Sequence, residues 1–158
     1  MTAAPPQLPP ADLYAADEVA WLDRMAALAR AGRADLLDLP NLADFLTAMG
    51  KGERRAVVSH LEVLLAHRLK WDCQPDKRSR SWLVTVGREA KWLRAEFAES
   101  RNLRNHAEAW FDEAYADAVR MAWAETGLPR SAFPAACPYT LDDLTAELDL
   151  PDPVELPD

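Results

Sequence analysis

The feature that most constrains this chain is a run of apolar residues at helical spacing that ends at Trp71. At about 100° per residue, one broad arc of the helical wheel collects Val57, Val58, Leu61, Leu64, Leu65, Leu69 and Trp71. An arc this wide predicts a long helix that packs against two or more neighbours. Lys70 lies on the polar side, whereas Arg68 lies inside the arc, where its guanidinium needs a route to solvent or an acidic partner.

A basic bend, defined here as residues 71–82, follows the long helix. Pro75 disfavours helical geometry at the residue before it and has no N–H to donate. Ser79 and Ser81 are both suitable N-caps for the next helix. That helix shows apolar residues three and four apart, namely Leu83, Val86, Ala90, Leu93 and Phe97.

Further helices are predicted from about Asp12 or Asp17 to Ala31 and over about 38–49 and 100–126, with a short one over 141–148. Gly32 and Gly127 are expected just past the ends of the first and third of these helices, and Thr140 with Asp143 is expected to form a capping box at the start of the short one. We expect residues 50–52, Gly-Lys-Gly, to break the chain before the long helix, and residues 133–139, rich in proline and aromatics, to form a strap. The fold class is therefore all-α: a single-domain helical bundle of about five main helices with a C-terminal strap and a short final helix. Residues 1–11 are expected to be a disordered proline-rich lead, 12–150 the domain, and 151–158 an acidic proline-rich tail.

The net charge of −8 is unevenly distributed. Residues 51–105 carry a net charge of +6, between an N-terminal third at −4 and a C-terminal third at −10. A chain with this layout satisfies much of its own charge, which argues against broad nucleic-acid binding. The N-terminus lacks the pattern of a secretory signal and no apolar run approaches about 20 residues, so we expect a cytoplasmic protein without a membrane span.

Three cations, Lys77, Arg78 and Arg80, lie at the start of the helix that follows the bend. A helix N-terminus carries about half a positive charge and favours anions, so these side chains are at the unfavourable end. We therefore expect something negative nearby, either a bound anion or a carboxylate from elsewhere in the chain.

Two interpretations of the bend follow. In one, the bend is a binding site with aromatic walls for a small anionic ligand or an unknown protein partner. Its candidate residues are His67, Trp71, Gln74, Arg78, Arg80, Ser81 and Trp82. In the other, the tryptophans anchor a helix corner and the acidic C-terminal segment pairs with the arginines. The segregation of charge along the chain favours the second interpretation.

No residue pattern indicates a catalytic centre, a metal site or a cofactor. His60 and His67 are seven residues apart, about 10 Å along a helix, whereas helical metal pairs use spacings of three or four. Cys73 lacks the signals of an activated nucleophile, and it and Cys137 form no disulfide framework. The first hypothesis is thus a non-enzymatic interaction module. The alternatives are a hydrolase or nuclease acting on a phosphorylated substrate near His67, and an antitoxin-like or DNA-associated protein.

Several separated motifs occur together here. They are LLAHRLKW at 64–71, Gln74-Pro75, RSRSW at 78–82, AETGLP at 124–129 and CPYTLDDL at 137–144. In this combination the chain resembles the bacterial family called domain of unknown function 29, from about Tyr14 to Leu150. The resemblance implies a small all-helical bacterial cytoplasmic protein, and it implies no activity or catalytic residue.

The chain departs from the family pattern in the second predicted helix. Members often read Asn-Leu-Ala-Glu-Glu-Ile-Glu, whereas this chain has Phe45 and Thr47 at two of the acidic positions. Any metal or base that those carboxylates served in relatives would be missing here, which lowers the expectation of an enzyme further.

Overall fold

The structure, a computed structural model, describes residues 9–146 and residue 156. Within them every regular element is helical, which confirms the all-α fold class. The α-helices are α1 (Pro10–Ala16), α2 (Glu18–Arg30), α3 (Leu39–Cys73), α4 (Arg80–Glu99), α5 (Arg101–Ala109), α6 (Phe111–Thr126) and α7 (Leu141–Thr145). Short 3₁₀ turns occupy Ala34–Leu36, Pro75–Lys77 and Arg130–Ala132. No helix in this part of the chain has the length and apolar character needed to cross a bilayer.

The chain divides into two compact units, Met1–Lys51 and Gly52–Asp158. In the first unit the fully buried Trp21 lies edge-on to the rings of Tyr14 and Phe45, at centroid distances of 4.7 and 5.8 Å. Its indole Nε1 donates to Asp38 Oδ2 at 3.2 Å, and Asn41 donates to the same oxygen at 2.7 Å. The carboxylate just before α3 therefore satisfies the buried indole N–H, as a buried donor requires.

The core of the second unit lies along the apolar arc predicted for the long helix. Val57, Leu61, Leu64, Leu65 and Leu69 of α3 are fully buried. The side chains that pack with them come from every later helix and the strap, and include Val86, Leu93, Ala107, Ala118, Phe133 and Leu144.

Two predictions of helix boundaries are wrong. Residues 50–52 do not break the chain, because α3 runs without interruption from Leu39 to Cys73. A glycine inside a helix costs only about 1 kcal/mol relative to alanine, and good helix formers flank both glycines. Of the two starts predicted for the helix before residue 32, the one at Asp17 is confirmed, because the Asp17 side chain caps α2 by accepting from the Ala20 N–H. Pro10–Ala16 forms a separate helix before it. The helix predicted over 100–126 is divided at Trp110, and no Gly or Pro marks that point.

Other local predictions are confirmed. Gly32 and Gly127 follow α2 and α6 with φ of +69° and +68°, the left-handed conformation that suits glycine at a helix end. Thr140 and Asp143 form the reciprocal capping box of α7. The predicted end of that helix at residue 148, most of the proline-rich lead and all of the tail except residue 156 lie outside the described residues.

Candidate functional site

The C-terminal end of α3 collects polar contacts from three other parts of the second unit. The contacts of Lys70 are the least expected of these, because the helical wheel placed this residue on the polar side of the helix. In the structure Lys70 is only 3% exposed. Its ammonium forms an ion pair with Glu125 of α6 and lies 4.9 Å from the ring centroid of Trp82 on α4. The prediction of an exposed Lys70 is therefore wrong, because α4 and α6 both cover that side of α3.

A second group of contacts joins the same helix end to the strap. The phenol of Tyr139 donates to Asp72 Oδ2 at 2.5 Å, and the Arg68 guanidinium lies 5.3 Å from the Tyr139 ring centroid. Arg68 Nη2 is 4.0 Å from the same carboxylate. Arg68 thus has the acidic partner that its position required, although its buried Nε has no hydrogen-bond acceptor among the described residues. Burial, together with the bond to Asp72, raises the pKa of Tyr139 far above its ordinary value, so the phenol stays a donor.

The contacts of Arg78 explain how one basic residue of the bend is stabilised close to the start of α4. Its Nε donates to the backbone carbonyl of Trp71 at 2.9 Å, and its guanidinium lies 4.9 Å from the centroid of the Trp71 ring. The carbonyls at a helix C-terminus carry partial negative charge and have no partner within the helix. Arg78 therefore interacts with the favourable end of α3, although it precedes α4 in sequence. The negative group expected near the bend is, for this arginine, a helix end.

The other bend residues have less restrictive surroundings. Arg80 is exposed, and its Nε donates to the backbone carbonyl of Leu156 at 3.0 Å. Ser79 is the N-cap of α4, with its Oγ accepting from the Trp82 N–H at 3.5 Å. The exposed Ser81 shares a hydrogen bond of 2.9 Å with the Ser79 hydroxyl.

Gln74 and His67 complete the predicted site residues. Gln74 is partly buried and precedes the Pro75–Lys77 turn. The Nδ1 of His67 bonds the Val63 carbonyl at 2.9 Å, within α3. Burial lowers the pKa of His67 below 6.5, while the Val63 carbonyl partly opposes that change. Trp71 is almost fully buried and Trp82 partly so, and each ring has a cation over it, Arg78 on Trp71 and Lys70 on Trp82.

The thiols show no sign of activation. Cys73 and Cys137 are both free and partly buried, and Cys73 Sγ donates to the Ala132 carbonyl at 3.5 Å. Burial raises the pKa of both thiols, which is opposite to what a nucleophilic cysteine needs. Among the described residues no three His, Cys, Asp or Glu side chains are grouped so as to hold a metal ion.

Two surface grooves lie away from the bend. The larger, of about 1050 Å³, runs between α6 and the strap and is lined by Tyr115, Arg120 and Arg130 among others. The Tyr115 phenol donates to the Pro134 carbonyl at 2.7 Å and fixes the strap there. The smaller, of about 420 Å³, lies beside the start of α7. The aromatic-walled site suggested by the sequence corresponds to neither groove.

Sequence reasoning missed the pair formed by His60 and Glu89. Glu89 of α4 is 3% exposed, and its carboxylate bonds both His60 Nδ1 of α3 and the neighbouring Arg88 guanidinium. A signal was available, because residue 89 lies three after Val86 and four before Leu93 on the apolar face. An acidic residue on such a face predicts a buried carboxylate with a cationic or protic partner.

The motifs noted in the sequence meet at the end of α3. Lys70 from the first motif contacts Trp82 from the third and Glu125 from the fourth, while Tyr139 from the fifth bonds Asp72. No curated protein and no protein of known structure is detectably similar to this chain. The model of one family, described as Domain of unknown function DUF29, matches residues 13–148. This match covers most of the sequence, and the chain therefore belongs to the DUF29 family.

Proposed function

We propose that this protein is a non-enzymatic interaction module whose basic bend binds a carboxylate-rich segment of a partner protein. One observation carries the proposal. Arg78 is held by its Nε and by its stacking on Trp71, while neither Nη group donates to an acceptor in the described part of the chain. The residue is only partly buried, and we take these two amino groups to be the donors that it offers to a partner.

An arginine fixed in this way is prepared for a bidentate contact. The planar guanidinium matches the two oxygens of a carboxylate, and charge-assisted pairs of this kind are about twice as strong as neutral hydrogen bonds. Immobilising a flexible side chain on binding costs about 0.5–1.5 kcal/mol. For Arg78 that cost is met within the folded protein, because Trp71 already restrains the guanidinium.

The surroundings of Arg78 support an acidic polypeptide as the partner. Lys77 and Arg80, both exposed, add positive charge on either side in the sequence. Arg80 already donates to a backbone carbonyl, that of Leu156, which lies in an acidic and proline-rich part of the sequence. An extended partner segment would present many backbone carbonyls that could accept from an arginine in the same way.

The hydrolase alternative receives no comparable support. It requires His67 as a base beside the anion, and the Nδ1 of His67 is bonded to Val63 inside α3. It also predicts that His67→Ala abolishes an activity while the protein stays folded, so screening phosphate esters against wild type and this variant tests it independently.

The experiment for the proposed site compares melting temperatures in sulfate and in chloride at equal ionic strength. The proteins are wild type, Arg78→Ala with Arg80→Ala, and the charge-conserving Arg78→Lys. An open anion site filled at 100 times its dissociation constant stabilises by about 2.7 kcal/mol, which is roughly 5–10 °C for a chain of this length. Sulfate also stabilises proteins in general, so only the difference between wild type and the variants counts.

We expect sulfate to raise the melting temperature of wild type more than that of either variant. Arg78→Lys should lose most of the specific response, since lysine keeps the charge but not the two-pronged geometry. Equal responses in all three proteins would mean that the bend has no open anion site, and the proposal would be wrong.

A further inference from the structure

The His60–Glu89 pair, described above, lies on α3 and α4 about 16 Å along the helix axis from the start of the bend. Its carboxylate is almost completely buried, with a side chain only 4% exposed, while the imidazole is 37% exposed. Taking a carboxylate out of water is costly, and apolar replacements of buried ion pairs are often neutral or stabilising. Stability alone therefore gives little reason for a glutamate at position 89.

The pair fixes the imidazole in both position and tautomer. Glu89 accepts from Nδ1, so a neutral ring carries its proton there and leaves the lone pair on Nε2. The ring also stacks on Trp92, with centroids 3.8 Å apart and planes 25° apart. Within the part of the chain that the structure describes, Nε2 has no partner. The result is an oriented, partly exposed nitrogen nucleophile backed by a buried carboxylate.

A cation lies on the carboxylate that orients this imidazole. Arg88 binds the second oxygen of the same carboxylate, with Nε 2.9 Å and Nη2 2.7 Å from Glu89 Oε1. Its side chain is 67% exposed. The imidazole and the guanidinium are thus bonded to the same carboxylate and both are partly exposed, and a cation placed on that carboxylate favours a phosphoryl group bonded to the ring.

We propose that His60 is a phosphoryl-accepting histidine, modified on Nε2 by an acyl phosphate of another protein. The Nε2 lone pair forms the N–P bond, the P–O bond of the donor breaks, and the donor leaves as a free carboxylate. Nδ1 keeps its proton throughout, and Glu89 faces the positive charge that the ring acquires, as the aspartate of a catalytic triad does for its histidine. An exposed helix face suits such a transfer, because the partner brings the donor and its activating groups.

The chain contains its own controls, since it has three histidines. His67 has its Nδ1 on the Val63 carbonyl. His106 lies against Trp110, with ring centroids 5.9 Å apart. Among the residues that the structure describes, neither histidine is bonded to a carboxylate. Incubating the full chain with acetyl phosphate or phosphoramidate, two small phosphoryl donors, allows the three sites to be compared in one reaction. Mass spectrometry of peptides under neutral conditions locates the label, and NMR identifies the modified nitrogen.

We expect one phosphoryl group, on Nε2 of His60, added at least 10 times faster than at His106. His60→Gln should abolish this label and leave any slow labelling elsewhere unchanged. Glu89→Gln, which keeps the shape but not the charge, should slow labelling at His60 about 10- to 100-fold, as losing an orienting partner typically does. If Glu89→Gln fails to fold, Arg88→Gln with an unchanged circular dichroism spectrum tests the same site through the neighbouring cation.

Three results would overturn the inference: equal labelling of His60 and His106, a label on Nδ1 of His60, or no label on His60 with either donor. None of them bears on the bend, whose arginines are unchanged in all of these variants.

Discussion

Removing Glu125 should destabilise the protein far more than removing its partner Lys70. The two side chains of this ion pair differ sharply in exposure, at 4% for Lys70 and 48% for Glu125. Glu125→Ala leaves an ammonium buried between helices, beside the ring of Trp82. Lys70→Met instead leaves a carboxylate that water can solvate, and it fills the space with an apolar chain of similar length.

The expected magnitudes follow from that asymmetry. Breaking a buried pair by removing one partner costs about 3–5 kcal/mol. We expect Glu125→Ala at the lower end, about 3 kcal/mol, because water already reaches the position of the carboxylate. For Lys70→Met the expected change is within about 1 kcal/mol of zero, since apolar replacement of a buried charge is often neutral or stabilising. In the double variant Lys70→Met largely rescues Glu125→Ala, because no charge is then left buried.

Urea unfolding followed by circular dichroism measures all three variants against wild type. At this chain length 1 kcal/mol corresponds to roughly 2–4 °C in melting temperature, so the Glu125→Ala loss is about 6–12 °C. The opposite order, with Lys70→Met the more destabilising, would refute the reasoning. It would mean that the ammonium contributes directly to the fold and is not merely compensated.

Three further predictions concern individual side chains. Burial depresses the pKa of His67 below 6.5, so the folded protein favours the neutral imidazole, and the free energy of unfolding should fall as the pH drops from 7 towards that lowered pKa. His67→Gln should flatten this pH dependence, measured by urea titration at each pH. Burial alone would raise the pKa of Glu89, but His60 and Arg88 both bond the carboxylate and the pKa is lowered. The difference in unfolding free energy between wild type and Glu89→Gln should therefore be constant above pH 4.5 and diminish in more acidic solution. Tyr115→Phe removes the hydrogen bond to the Pro134 carbonyl and should lower the free energy of unfolding by about 1 kcal/mol. In wild type, burial raises the pKa of Tyr115 to about 12, so this phenol should not ionise in an absorbance titration at pH 10.

The sequence predicted the helices of this protein because apolar spacing is a local property. The buried arc from Val57 to Leu69, the capping box at Thr140 and the glycine that ends α6 all depend on residues a few positions apart. The break expected at residues 50–52 failed for a different reason. Glycine only weakens a helix, and whether the weakening breaks it depends on residues that pack against it.

The candidate site was less accessible from sequence. Arg78 appeared to be at the wrong helix end because its partner, the Trp71 carbonyl, belongs to the preceding helix. Lys70 appeared exposed because a single helical wheel does not show that α4 and α6 both pack on that side. Both errors come from inferring the surroundings of a side chain from its own helix alone. The partner of Arg78 lies 7 residues away in the chain, and that of Lys70 lies 55 residues away.

The most direct test of the bend as a binding surface is fluorescence anisotropy of a labelled acidic peptide. The peptide carries the sequence of residues 149–158, DLPDPVELPD, and is titrated with wild type, Arg78→Lys and Lys91→Arg, the last a charge-conserving control on the exposed side of α4. We predict saturable binding to wild type and to the control, weakened at least 10-fold by Arg78→Lys, with binding to all three reduced as salt is raised. Equal affinity for wild type and Arg78→Lys would contradict the account, because any binding would then be due to net charge alone and not to the guanidinium held on Trp71.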